Sequence, residues 1–93
     1  AYRSSEVVIS SNTVESCTEG IKLYRTSKSV ITNNTVNGNR YAIKLSRSSN
    51  NVVYSNDITN NVKVGLQLDY GSHRNLIYDN TIKNNEWGIC MYS

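Results

Sequence analysis

The sequence predicts an all-β fold, a right-handed parallel β-helix: a solenoid of about four coils of 22–24 residues each. Three observations lead to it. An Ile/Val-x-x-Asn-x-Val/Ile motif recurs four times, with its Asn at positions 12, 34, 56 and 80, in steps of 22, 22 and 24. A Gly/Ala-Ile/Leu-x-Leu/Met block follows every copy. The chain of 93 residues also carries 14 Asn, 13 Ser and 7 Thr against 38% hydrophobic residues, with no Phe or Pro. So thin an apolar supply would leave a compact globule of this size marginal. A repeat protein avoids the problem because each unit buries its apolar edge against its neighbours. The regular spacing of Val, Ile and Leu and the small net charge of +3 argue against disorder, the other reading of so polar a chain.

The coils follow in order. Ala1-Tyr2-Arg3-Ser4-Ser5 aligns with Leu23-Tyr24-Arg25-Thr26-Ser27 at an offset of 22, so the chain opens inside the strand of a preceding coil. Coil one, about 5–26, carries Ile9, Asn12 and Val14 and then Gly20-Ile21-Lys22-Leu23. Coil two, about 27–48, carries Ile31, Asn34 and Val36 and then Ala42-Ile43-Lys44-Leu45. Coil three, about 49–71, carries Val53, Asn56 and Ile58 and then Gly65-Leu66-Gln67-Leu68. It is longer by two residues, one within Asn61–Val64 and one within Asp69–Ser72. Coil four, about 72–93, carries Ile77, Asn80 and Ile82, then Gly88-Ile89-Cys90-Met91, and stops at Ser93 in the equivalent strand. Both ends fall mid-coil, so the chain reads as one solenoid segment of a longer protein.

In Ile21-Lys22-Leu23 the outer two residues share one side and the middle one takes the other, the period of a strand. No segment offers an apolar period near 3.6 over ten residues, which counts against a leucine-rich repeat. No six-residue motif repeats within a coil, which excludes a left-handed hexapeptide helix. Parallel stacking sets equivalent residues about 4.8 Å apart. Four inward columns result: Ile9/Ile31/Val53/Ile77, Val14/Val36/Ile58/Ile82, Ile21/Ile43/Leu66/Ile89 and Leu23/Leu45/Leu68/Met91. The Val8/Val30/Val52/Leu76 column is apolar too, and its direction stays open at this stage. Asn12, Asn34, Asn56 and Asn80 form a ladder at a turn, because Asn tolerates left-handed backbone and its amide both donates and accepts. Their spacing equals the fold period, so they read as scaffold.

These motifs, I-x-x-N-x-[IV] and G-I-x-L, resemble the parallel β-helix repeats of the pectate-lyase-like superfamily, especially the Asn-rich NosD-like and carbohydrate-binding/sugar-hydrolase repeats. The resemblance covers essentially the whole chain. It implies an extracellular, cell-surface or periplasmic protein that binds or acts on polysaccharide, held on the outer face of the sheet of G-I-x-L strands. Relatives of this kind include lyases, epimerases and glycoside hydrolases, and also solenoids without catalysis.

The outward positions of that sheet are Glu19, Lys22 and Tyr24, then Tyr41, Lys44 and Ser46, then Val64, Gln67 and Asp69, then Trp87, Cys90 and Tyr92. Arg3, Arg25 and Arg47 fall 22 apart beside them. Lys22 and Lys44 read as an unpaired basic row next to this arginine comb, suited to an anionic polymer such as a uronate chain. The expected ligand contacts are Lys22, Tyr24, Arg25, Tyr41, Lys44, Arg47, Gln67, Trp87 and Tyr92. The plainer reading is that long cations cover a polar sheet and spread into solvent.

The one His lies in Asp69-Tyr70-Gly71-Ser72-His73-Arg74, at the lengthened turn. Asp69, His73 and Arg74 are the candidate acid–base set, against the plain alternative of a polar turn opened by Gly71. A hydrolase would need paired carboxylates, and Glu19 and Asp69 sit two coils apart. Catalytic residues, if the protein is an enzyme, are expected outside this segment. Cys17 and Cys90 occupy coils one and four, roughly 14 Å apart along the axis, beyond the roughly 7 Å Cα limit of a disulfide. Both are expected as free thiols. No metal or cofactor is expected, since no ligand set has useful spacing. No apolar run approaches the roughly 20 residues of a membrane span, and the basic residues are not clustered, so neither membrane nor nucleic acid is an expected partner. The expected partners are polysaccharide and either adjoining coils of the parent chain or other copies stacked end to end. The alternative function is a non-catalytic structural or interaction solenoid.

Overall fold

The computed structural model describes residues 1–92; the expected end of the last strand at Ser93 lies outside them. Each coil contributes three strands joined by short corners of two to six residues. Coil one gives β1 (Val8–Ser10), β2 (Thr13–Glu15) and β3 (Glu19–Tyr24); coil two gives β4 (Val30–Thr32), β5 (Thr35–Asn37) and β6 (Tyr41–Ser46). Coil three gives β7 (Val52–Tyr54), β8 (Asp57–Thr59) and β9 (Val64–Asp69); coil four gives β10 (Leu76–Tyr78), β11 (Thr81–Lys83) and β12 (Trp87–Met91). Like stacks on like, in three four-stranded sheets ordered β1-β4-β7-β10, β2-β5-β8-β11 and β3-β6-β9-β12. Every pairing is parallel. A crossover that returns to a parallel strand of the same sheet is right-handed in nearly all proteins.

The register is the one the repeat predicts. Ile9 pairs with Ile31 and Ile31 with Val53, Val14 with Val36 and Val36 with Ile58, Ile21 with Ile43 and Ile43 with Leu66. These columns form a single buried core, with Ile9, Val14, Ile77 and Ile82 packed partly buried against it. Ile89 and Met91 align with Leu66 and Leu68 but stay 51% and 73% exposed, because they belong to the outermost coil. The open column resolves outward: Val8 is 66% and Leu76 57% exposed beside inward Ile9 and Ile77. Both insertions fall where expected. The coil-to-coil step is 22 from Asn39 to Asn61, 23 from Tyr41 to Val64 and from Ser46 to Asp69, and 24 from Ser48 to Ser72.

Corners need the chain to reverse its curl, and one left-handed residue does it. Four files take this conformation, with φ between 48° and 68°: Arg3/Arg25/Arg47/Tyr70, Glu6/Lys28/Asn50/Arg74, Ser11/Asn33/Ser55/Asp79 and Ser16/Gly38/Asn60/Asn84. The backbone freed at each corner is held by polar ladders running along the axis. Asn12, Asn34, Asn56 and Asn80 form the expected one: the Oδ1 atoms of Asn34, Asn56 and Asn80 each accept the amide Nδ2–H and the backbone N–H of the Asn one coil earlier, at 2.9–3.1 Å. Three more ladders were not anticipated from the sequence. They run through Asn39/Asn61/Asn85, Ser29/Asn51/Asn75 and Thr26/Ser48/Ser72.

One departure from strict alternation shapes the third sheet. Ala42 and Ile43 are consecutive and both wholly buried. A Cβ on Gly20, in the same file as Ala42, would point inward to 3.1 Å from the Val36 side chain and 2.7 Å from the Ala42 carbonyl oxygen. Two inward residues in a row turn the preceding file, Glu19/Tyr41/Val64/Trp87, outward.

Candidate functional site

The outer face of the β3-β6-β9-β12 sheet carries three files fixed by strand pairing: Glu19/Tyr41/Val64/Trp87, Lys22/Lys44/Gln67/Cys90 and Tyr24/Ser46/Asp69. Tyr92 continues the last file, its N–H donating to the Leu68 carbonyl at 2.8 Å. The nine expected contact residues therefore do share one face and its margin.

The lysines are a correction to the sequence reading. Lys22 and Lys44 stand in register but are not an unpaired row. Lys44 Nζ lies 3.3 Å from Glu19 Oε2 and 4.0 Å from Asp69 Oδ2, and Lys22 Nζ lies 3.5 Å from the same Glu19 oxygen. The physical reason is diagonal reach. A lysine can lean one file sideways and one rung down, where repulsion from its like-charged neighbour is replaced by attraction. The two part-exposed pairs to Glu19 are each worth about 0–1 kcal/mol, and with the buried Asp69 the two carboxylates offset the two charges of the lysine file. Glu19 and Asp69, two coils apart, thus meet at a single ammonium. With the Lys44 ammonium held by both carboxylates, the arrangement is an ion cluster.

Coil three is the second correction. Val64, Gln67 and Asp69 lie in the outward files yet are only 4%, 8% and 5% exposed. Gln67 Nε2 donates to Asp69 Oδ2 at 3.0 Å, so its amide is turned to its own strand. Asp69 Oδ1 is buried without a hydrogen-bond partner.

The aromatic residues divide into covered and open. Tyr24 stacks on Tyr2 at 5.3 Å between centroids and 8° between planes, with Lys22 and Arg25 at 5.9 and 5.4 Å from its ring centre. Tyr41 has Lys44 at 5.2 Å and Arg40 at 5.8 Å. Trp87 and Tyr92 are both 59% exposed and flank Cys90.

The arginine comb holds. Arg3, Arg25 and Arg47 take equivalent corners, each guanidinium 5.2–5.8 Å from a tyrosine ring: Tyr2, Tyr24 and Tyr70 respectively. Among the described residues these guanidinium groups join no ion pair. Tyr70 is the fourth member of the comb and was missed in the sequence. The signal was present, since Tyr70 follows Asp69 as Arg47 follows Ser46, but the insertion after it obscured the alignment. Arg40, against Tyr41, was missed as well, because it lies outside the repeated block.

Asp69, His73 and Arg74 do not converge into an acid–base set. The Asp69 carboxylate engages Gln67 and Lys44, the His73 ring Nδ1 turns to the Gly71 carbonyl, and Arg74 takes a left-handed corner one residue on. His73 binds through its backbone, its N–H donating to Ser49 Oγ at 3.2 Å. Cys17 and Cys90 are free thiols. The backbone N–H of Cys17 donates to Asn39 Oδ1 at 2.9 Å, so Cys17 heads the second asparagine ladder. Among the described residues no three His, Cys, Asp or Glu side chains gather as a metal site would require.

Comparison with known proteins gives a family and no individual relative. Neither curated proteins nor solved structures gave a match. A family model described as a right handed beta helix region matches residues 1–93, the whole length, in agreement with the parallel sheets and the polar ladders. The chain belongs to the right-handed β-helix family.

Proposed function

We propose that the outer face of the β3-β6-β9-β12 sheet binds an extended anionic polysaccharide, without performing chemistry on it in these coils. One observation carries the reading: arginines occupy the corner beside this face although they suit it poorly. A left-handed backbone costs a bulky L-residue about 1–2 kcal/mol; two of the four corner files soften that with Ser, Asn, Asp or Gly in every coil, and the Glu6/Lys28/Asn50/Arg74 file does so in one. The file beside this face contains only Arg3, Arg25, Arg47 and Tyr70. Residues kept in a costly conformation point to a use. Their guanidinium groups repeat once per coil, about 4.8 Å apart, a spacing suited to a polymer with a charge on each sugar. Trp87 and Tyr92 add flat open surfaces for sugar rings. The resemblance to secreted polysaccharide-active repeats adds an extracellular, surface or periplasmic setting.

The neutralised lysines favour a second reading, a solenoid that is structural only. Affinity electrophoresis separates the two, with polygalacturonate and a neutral glucan as probes. The binding reading expects retardation by polygalacturonate that weakens with salt and falls about tenfold in Arg25→Ala/Arg47→Ala. Equal mobility in both polymers would leave the structural solenoid.

A further inference from the structure

The three outer faces differ in kind. The second sheet exposes Glu15, Asp57 and Lys83, and the third carries the ion cluster. The β1-β4-β7-β10 face has no charge at all. It presents an aliphatic file, Val8/Val30/Val52/Leu76, beside a second file that ends in Tyr54 and Tyr78. Those two rings stack at 5.1 Å with 4° between planes. Val8, Leu76 and Tyr78 are 66%, 57% and 41% exposed. We propose that this face is a self-association surface on which two copies pack sheet to sheet with their axes antiparallel.

Shape and charge both select that partner and that direction. A two-fold axis across the face turns each file back on itself. Val8 then meets the partner's Leu76, and Val30 meets the partner's Val52. In the second file the exposed Tyr78 meets the partner's exposed Ser10, and the half-buried Tyr54 lies over the partner's buried Thr32, large against small at both rungs. In the parallel arrangement Tyr78 would meet the partner's Leu76 while Ser10 met the partner's Val8, and the sheets would diverge toward one end. Charge agrees. The corner file on one margin reads Glu6, Lys28, Asn50, Arg74, all exposed. Among the described residues none of its charges joins an ion pair. The antiparallel axis sets Glu6 against the partner's Arg74 twice, and Lys28 against the partner's neutral Asn50. Four rungs about 4.8 Å apart make a face well under the roughly 800 Å² per partner of a stable interface. The dimer therefore belongs to the weak, rapidly exchanging class.

Disulfide trapping of the full chain tests this in a Cys17→Ser/Cys90→Ser background. Glu6 and Arg74 lie three rungs, roughly 14 Å, apart within one chain, too far to be joined there. Under mild oxidation Glu6→Cys/Arg74→Cys is expected to give a closed dimer of twice the chain mass, and neither single cysteine variant any product. Adding Leu76→Lys, an exposed change, should slow trapping about tenfold while leaving the circular dichroism spectrum unchanged. A ladder of ever larger species would mean end-to-end stacking and would overturn the proposal. So would failure to cross-link, or trapping insensitive to Leu76→Lys.

Discussion

Asn56 Oδ1 accepts two hydrogen bonds from Asn34, one from its backbone N–H and one from its Nδ2, each at 3.0 Å. Its own Nδ2 donates to the carbonyls of Ile31 and Tyr54 and to Asn80 Oδ1. One side chain at 2% exposure thus satisfies groups in three coils. Buried groups left without partners cost about 1–3 kcal/mol each. Asn56→Ala is expected to lower the unfolding free energy by more than about 2 kcal/mol, measured by urea denaturation. Asn12→Ala, exposed and at the edge of the same ladder, should cost less than half as much.

Ile43 sits between Ile21 and Leu66 with no exposed surface. Truncation to Ala removes three carbons from a packed stack that cannot collapse, since ladders fix the coil spacing, and is expected to cost about 2–5 kcal/mol. Val52→Ala, in the outward column, should cost about 1 kcal/mol or less. Equal losses at the two positions would contradict the inward and outward assignment.

The fold was legible because the solenoid repeats everything: a residue and its equivalent 22 positions later share surroundings, so Asn12, Asn34 and Asn56 announce a ladder from their spacing alone. The other ladders were hidden by substitution within the file. Cys17 stands where later coils place Asn39 and Asn61, and Ser29 where they place Asn51 and Asn75. The Val8 column had no direction because a three-residue strand offers a single alternation. The charge state of the face was illegible for another reason. Repeat alignment lines up residues within files, whereas Lys44 pairs diagonally, across files and coils, with Glu19 and Asp69.

Cys17 and Cys90 should each react with a thiol reagent in protein unfolded without reductant, giving two labels per chain by mass spectrometry. In the folded chain Cys17, the exposed one, should label first; Cys90 is half-buried. A single chain with the two joined would mean the coils are assigned to the wrong rungs.

Glu19 holds both Lys22 and Lys44, so Glu19→Gln frees the Lys22 ammonium and leaves Lys44 only its 4.0 Å contact with Asp69, while changing the net charge from +3 only to +4. Stability should shift by less than about 1 kcal/mol. Affinity for polygalacturonate should rise about fivefold, since a charge about 4 Å from the ligand path and fully hydrated is worth roughly 1 kcal/mol. The gain should disappear in high salt. An unchanged affinity, with binding to the wild-type chain intact, would place the ligand away from this file.

Arg47 offers the sharpest separation of structure from use. Its left-handed backbone, φ 50°, favours a smaller residue, and its guanidinium rests 5.8 Å from the Tyr70 ring centre. Arg47→Asn relieves about 1–2 kcal/mol of backbone strain, because Asn is at ease in this conformation. It gives up about 0.5–1 kcal/mol of cation–ring attraction. The variant is therefore expected to be as stable as the wild-type chain or more so, by up to about 1 kcal/mol in urea denaturation. Its affinity for an acidic polymer should fall. A corner chosen for stability would show the reverse, a weaker fold with binding untouched. Loss of both together would make Arg47 a packing residue and remove the main support for an anion-binding edge.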